Sequence, residues 1–159
     1  MIEIERKFLV SNEDFKKEAF HTRVFKQGYL NSDPLRSVRV RIDGEQGILT
    51  VKGPSSADGT SRLEWERLIP LQDAEALLPL CEHEIINKTR YEIKVGLHVY
   101  EVDIFEGSNA GLILAELELN DPEEDFEKPD WLGQEVTGDI RYYNSQLAKK
   151  PFLSWENQS

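Results

Sequence analysis

The sequence predicts a mainly β protein of the α+β kind, an eight-stranded antiparallel barrel with a charged lumen and a few flanking helices. Three observations predict it. Most of the chain alternates apolar and charged residues with period two, the mark of strands with two unlike faces. Eight such segments follow one another, separated by turn signals such as Ser32-Asp33-Pro34, Asp43-Gly44 and Gly107-Ser108-Asn109. Charges of like sign fall two residues apart on one face, whereas a sheet with one solvated face carries unsorted charge outside.

The expected strands are 2–10, 23–30, 35–43, 46–53, 62–70, 84–95, 98–106 and 112–120. In the first, Glu3, Glu5 and Lys7 share one face and Ile2, Ile4, Phe8 and Val10 share the other with Arg6. The third sets Arg39 and Arg41 against Val38, Val40 and Ile42, and the fourth sets Thr50 and Lys52 against Leu49 and Val51. Glu64 and Glu66 alternate with Leu63 and Trp65 in the fifth; Lys88, Arg90, Glu92 and Lys94 line up in the sixth. The seventh offers Glu101 and Asp103, and the eighth Glu116 and Glu118 opposite Ala115, Leu117 and Leu119. Residues two apart on a strand lie about 6.5–7 Å apart, a spacing suited to a polyanion and its metal ions. In a barrel these faces make a polar lumen, and the apolar faces form an outer wall partly covered by helices.

Three helices are expected. One follows Ser11 and Asn12, where Ser11 and Asp14 resemble a capping box; one lies near 73–80; one runs from about 139, with Asp139 as N-cap and Lys149-Lys150 near its end. The segment 53–61 is a polar loop too short to link domains, and the acidic stretch 121–130 reads as a surface crossing.

The 159 residues suit a single domain over 1–159. Thirty acidic against nineteen basic residues give a net charge of -11, which argues against a nucleic-acid partner unless the cations are gathered in one place. The one cysteine, Cys81, allows no intramolecular disulfide. The N-terminal run is charged where a signal peptide would be apolar, and no stretch approaches membrane-spanning length, so the expected location is cytoplasmic with no membrane partner.

The sorted charges define a chemistry. Mg²⁺ and Mn²⁺ take hard oxygen ligands, one or two carboxylates with water and phosphate completing the shell, and carboxylate pairs on several strands suit one or two such ions. Lys7, Arg39, Arg41, Lys52, Lys88 and Arg90 could embrace a chain of phosphates, guanidinium groups in bidentate fashion and ammonium groups as point charges.

On Glu3-Ile4-Glu5-Arg6-Lys7, followed in order by Gln27-Gly28-Tyr29-Leu30, Arg39-Val40-Arg41, Thr50-Val51-Lys52, Glu64-Trp65-Glu66, Lys88-Thr89-Arg90-Tyr91, Val102-Asp103-Ile104-Phe105, Glu116-Leu117-Glu118 and Glu135-Val136-Thr137, the chain resembles the CYTH or triphosphate tunnel metalloenzyme family. The resemblance implies an eight-stranded tunnel threaded by a triphosphate. It implies Glu3, Glu5, Glu116 and Glu118 as metal ligands, with Glu64, Glu66 and Asp103 as acidic positions for a second ion or its waters. Tyr29 is then either a proton acceptor or water-positioning group, or a tyrosine packed at a tunnel mouth; Lys88 is either a base or a phosphate contact. The activity implied is metal-dependent hydrolysis of a small triphosphate, inorganic triphosphate first. The alternatives are a thiamine triphosphatase, a class IV adenylate cyclase and a polyphosphate-binding module without turnover.

The remaining conspicuous residues read as packing or surface. His21, His83 and His98 have no ligand spacing, Cys81 is a small buried side chain, and Trp65 is expected to pack beneath the C-terminal helices. An exposed barrel wall leaves room for a homodimer.

Overall fold

The computed structural model describes residues 1–155; the last four residues of the expected 1–159 domain lie outside the described ones. Nine strands form: β1 (Ile2–Val10), β2 (His21–Asn31), β3 (Ser37–Asp43), β4 (Gln46–Ser55), β5 (Ser61–Ile69), β6 (Glu82–Val95), β7 (His98–Phe105), β8 (Ile113–Leu119) and β9 (Leu132–Glu135). They run in the order β5-β4-β3-β2-β6-β7-β8-β1-β9, and β1 also pairs with β5, which closes the first eight into a barrel. Every pairing is antiparallel. Closure removes the free sheet edges that eight amphipathic strands would otherwise expose.

The ninth strand was not expected from the sequence. Its four residues, Leu-Gly-Gln-Glu, carry no alternation, and they pair with the far end of β1 at Phe8–Glu135 and Val10–Leu132. Arg6, the one charge on the apolar face of β1, secures this strand by donating from Nε and Nη2 to the Glu135 carboxylate at 2.8 and 2.6 Å.

The hydrophobic core lies outside the barrel and across one end of it. Helix α1 (Phe15–Glu18) is a single turn that buries Phe15 against Trp131, Tyr91, Ile93 and Tyr100. The expected Ser11–Asp14 capping box does not form: Asn12 Oδ1 accepts from the Asp14 amide, and Ser11 Oγ donates to the Trp131 carbonyl. The stretch 121–130 lacks regular structure but does more than cross the surface. It lays Phe126 edge-on to Phe8, accepts the Tyr100 hydroxyl proton at the Glu127 carbonyl, and delivers Trp131 to the wall at 2% exposure. Helix α2 (Leu71–Leu77), extended by a 3₁₀ turn to Leu80, covers Val40 with Ala74 and Leu78. Beside it Gly28 meets Cys81: a Cβ at Gly28 would sit 2.7 Å from Ile85 Cδ1 and 2.8 Å from Cys81 Sγ. Ile2, Val24 and Leu63 stay exposed on the outer wall.

The C-terminal helix starts later than expected. Asp139 caps only a 3₁₀ turn at Ile140–Tyr142, accepting from the Arg141 amide, and helix α3 (Asn144–Lys149) follows and stops before Pro151. Leu147 and Ala148 pack with Tyr142 on Tyr29, Ile86, Phe105 and Leu114, so α3 lies against the end of the barrel. Trp65 is not under these helices. It stays half-buried on the outer face of β5, where the Arg67 guanidinium stacks on it at 4.8 Å. Trp155 packs edge-on to Tyr142 and Phe152.

Candidate active site

Barrel closure turns the polar face of every strand inward onto one cavity of ≈ 220 Å³. All the site residues expected from the sequence line it except Asp103, which lies behind Lys88 and Arg90 at 1% exposure. The cross-strand register brings them together: Glu5 faces Glu118 and Lys7 faces Glu116 between β1 and β8, Arg39 faces Thr50 and Thr50 faces Glu66 across β3–β4–β5, and Arg90 faces Asp103 between β6 and β7.

The cations differ in how far they are neutralised. Lys52 Nζ lies 2.9 Å from Glu3 and 3.4 Å from Glu64. Arg90 donates from Nε and Nη2 to both oxygens of Asp103 at 2.8 and 2.9 Å and reaches Glu101 and Glu116 at 3.1 Å each. Lys88 Nζ lies 2.7 Å from Asp103 Oδ2 and Lys7 Nζ 3.9 Å from Glu116. Arg39 has Glu66 at 3.5 Å and donates from Nη2 to Thr50, but its buried Nε has no partner among the described residues. Arg41, 6% exposed, has no carboxylate partner among the described residues; Nε donates to Gln27 Oε1 at 2.8 Å and the guanidinium lies over the Phe25 ring at 4.0 Å. Burial first, then Arg39 and Arg90, hold Arg41 well below the usual arginine range. A buried guanidinium short of partners is costly unless an anion joins it.

The acidic side shows the converse strain. Burial together with Glu116 and Glu3 raises Glu5 well above the usual carboxylate range. Burial and the charge of Glu3 push Glu64 up to about 7. Burial, Glu3 and Glu101 raise Glu118. Against the burial that would raise them, Lys7, Arg90 and Lys88 hold Glu116 well below its ordinary value, and Lys52 lowers Glu3. Glu116 is the charge that most raises Glu5, and Glu3 the one that most raises Glu64, so in each pair one carboxyl is biased towards its protonated form. No group of three or more His, Cys, Asp or Glu among the described residues forms a ready-made metal cage. Mg²⁺ and Mn²⁺ need none, because water and phosphate fill most of their shell. Hard oxygens crowded enough to raise one another's affinity for a proton fit such an ion.

Asp103 is different. Although buried, it is held down at about 2 by Arg90 and Lys88, and those cations take both its oxygens. Burial first, reinforced by Arg90 and Arg41 and opposed by Asp103, lowers Lys88 to about 7. Tyr29 sits 5% exposed at the α3 end, among Ile86, Phe105, Tyr142 and Leu147, and its ring also lines the cavity.

Several lining residues escaped sequence reasoning. On β2, Arg23 lines the cavity beside the expected Tyr29, and between them the fully buried Phe25 is ringed by Arg23, Arg41, Arg90 and Lys88 at 4.0 to 6.0 Å from its centroid. Its period-two spacing was available as a signal. Arg62, two residues before Glu64 at the start of the expected strand 62–70, carried the same signal, whereas Tyr143 and Asn144 had none, since they enter from the C-terminal segment.

A closed antiparallel barrel whose lumen sets under-partnered cations beside crowded carboxylates has the donor set that suits a polyanion together with hard cations. The chain belongs to the CYTH domain family, whose description matches residues 1–150. It is 47% identical to an inorganic triphosphatase from Acetivibrio thermocellus over 155 residues, 97% of each chain. It is 39% identical to an inorganic triphosphatase from Nitrosomonas europaea, covering 93% of this chain and 97% of that one. A crystal structure of the inorganic triphosphatase NE1496 superposes with a TM-score of 0.66 at 34% identity, over 92% of this chain and 97% of that one. The PH1012 protein from Pyrococcus horikoshii OT3, 23% identical with a TM-score of 0.61 over 76% of this chain and 81% of that one, shares the fold. No described helix is long and apolar enough to cross a membrane.

Proposed function

We propose that this chain hydrolyses short linear triphosphates, inorganic triphosphate to pyrophosphate and phosphate first among them, with Mg²⁺ or Mn²⁺. The observation that carries the reading is the pair Arg39 and Arg41: an orphaned Nε and a guanidinium without a carboxylate, both facing a buried cavity. The names and identities of the two curated relatives support the same reading.

Arg39, Arg41, Lys7, Lys52, Lys88 and Arg90 bind the phosphate chain. Arg41 and Arg39 use donors left over after their protein contacts, and Arg90 is locked by Asp103 so that its charge is presented at fixed geometry. Glu3, Glu5, Glu116 and Glu118 are the metal-binding carboxylates; Glu64 and Glu66, at the more exposed wall, serve a second ion or its waters. Asp103, first read as an acidic metal position, is assigned to orienting Arg90 and Lys88, because its oxygens are already taken. A divalent cation bound here supplies neutralisation of phosphate charge and an oriented water. Lys88 contacts a phosphoryl oxygen, and Tyr29 shapes the end of the phosphate site by packing. Preorganised cations aimed at the leaving group stabilise the charge that develops on it. The single cysteine suits a reducing, cytoplasmic setting.

The test is release of phosphate from triphosphate, ATP, thiamine triphosphate and long-chain polyphosphate, with Mg²⁺, with Mn²⁺ and in chelator. Triphosphate is expected to be the best substrate and chelator to abolish turnover. Binding of triphosphate without turnover under every metal would convert the reading to a binding module.

A further inference from the structure

The C-terminal segment contributes a polar side chain to the charged cavity that neither strand pattern nor family motif supplies. Asn144, the first residue of α3, accepts at Oδ1 from Lys88 Nζ at 2.7 Å and from Gln27 Nε2 at 2.9 Å. Gln27, 0% exposed, in turn accepts at Oε1 from Arg41 Nε at 2.8 Å. One carboxamide thus fixes two cations of the phosphate cradle, Lys88 directly and Arg41 through Gln27.

Donor counting gives the consequence. An ammonium has three N–H groups; Lys88 gives one to Asn144 while Asp103 pairs with its charge, each at 2.7 Å, which fixes its direction and still leaves donor capacity for a ligand. Asn144 sits on a segment pinned by several contacts besides its own. Val136 N donates to Lys7 O at 2.8 Å, Lys7 N donates to Thr137 Oγ1 at 2.9 Å, Lys7 Nζ donates to Tyr142 O at 3.2 Å, and the Tyr143 and Ser55 hydroxyls pair at 2.8 Å. Leu147 and Ala148 anchor the helix in the core below. A side chain held this firmly can hold its partners to the sub-ångström tolerance that phosphoryl transfer demands.

We propose that Asn144 is a positioning residue for triphosphate hydrolysis, aligning the Lys88 ammonium and, through Gln27, the Arg41 guanidinium on the reacting phosphates. This rests on the reading of the cavity as a triphosphatase site. The wild-type chain with inorganic triphosphate and Mg²⁺ is the control for that reading: no turnover there contradicts the triphosphatase assignment itself, whatever the variants do.

With the control active, kcat, KM and thermal midpoint are measured for Asn144→Ala and Asn144→Asp. Asparagine to aspartate keeps an acceptor for both donors and adds a negative charge. The proposal expects Asn144→Ala to lose about tenfold or more in kcat, with KM changed less than about threefold and the fold retained. Asn144→Asp is expected to recover kcat to within about threefold of wild type while KM rises, since the added charge repels triphosphate but still orients Lys88. Wild-type kcat in Asn144→Ala overturns the proposal. So does an equal kcat loss in both variants, and so does failure of Asn144→Ala to fold, which would make Asn144 a structural latch.

Discussion

Glu5 and Arg41 show how opposite strains meet at single residues. Glu5 is a carboxyl whose surroundings favour the proton over the charge, and Glu118 shares that bias. Changing either to Gln imitates the protonated form in shape and charge, so metal-free thermal stability should hold or rise near neutral pH while turnover falls by about a hundredfold, as expected for loss of a charged metal contact. Activity with Mg²⁺ set beside a melting curve in chelator checks this; a parallel loss of fold would make the two residues structural ion-pair partners. Arg41→Ala removes a cation with no carboxylate to strand, so it should fold well and weaken triphosphate and ATP alike by about ten- to hundredfold, read from kcat/KM for each. The paired residues of this site were legible because period two on a strand is a statement about faces: Glu3 and Glu5, Arg39 and Arg41, Glu116 and Glu118 line the lumen together. Asp103 shares that pattern and yet is spent on Arg90 and Lys88, since alternation gives the side a residue takes and not its partner. Phe25 was readable on the same rule, but an aromatic ring among cations carries no charge signal.

At the scale of elements, the eight barrel strands announce themselves by alternation, whereas β9 and α3 are set by what they dock on. β9 exists because Arg6 and the free side of β1 receive it, and α3 begins at Asn144 rather than near 139 because a 3₁₀ turn intervenes. The same docking creates a close contact that no local pattern foretells. Gly59, in the turn between β4 and β5, has φ +79°, and a Cβ there would lie 2.4 Å from Gly138 Cα. Gly138 has φ +80° and precedes the segment that carries Tyr143 and Asn144 into the cavity. Gly59→Ala must therefore adopt a left-handed conformation and push the 137–145 segment away. The expected cost is at least about 1–2 kcal/mol, a fall in thermal midpoint of roughly 2–8 °C for a chain of this size. Gly44→Ala, at φ +61° with nothing within 4 Å, is the control that carries the backbone strain without the collision; an equal effect of both would show that the Gly59–Gly138 approach is not what holds the segment.

For the whole molecule, the core and the site are separate. Apolar packing lies on the outer wall and beneath α3, and the charges face inward, so chelator should leave the barrel folded and change only how it titrates. Glu64 is raised from 4.5 to about 7 in the folded chain. Between those values the folded state keeps a proton that the unfolded chain has released, so metal-free stability should fall as pH rises through that window. Glu64→Gln should flatten this trend, and Mg²⁺ should offset it by taking the place of the proton; Tm across pH 4.5 to 7 with and without Mg²⁺ checks both. Lys88, lowered from 10.5 to about 7, acts in the other direction, its contribution rising with pH between those two values, so the two windows are separable. The central claim is that the phosphate chain alone is what the cavity recognises. If six cations and a metal supply the binding energy, an attached adenosine adds little. The most direct measurement is kcat/KM for inorganic triphosphate and for ATP with Mg²⁺, with nucleotide products separated by chromatography. The account predicts that triphosphate is preferred and no cyclic nucleotide forms; a preference for ATP of about tenfold or more, or cyclic AMP as the main product, would contradict it.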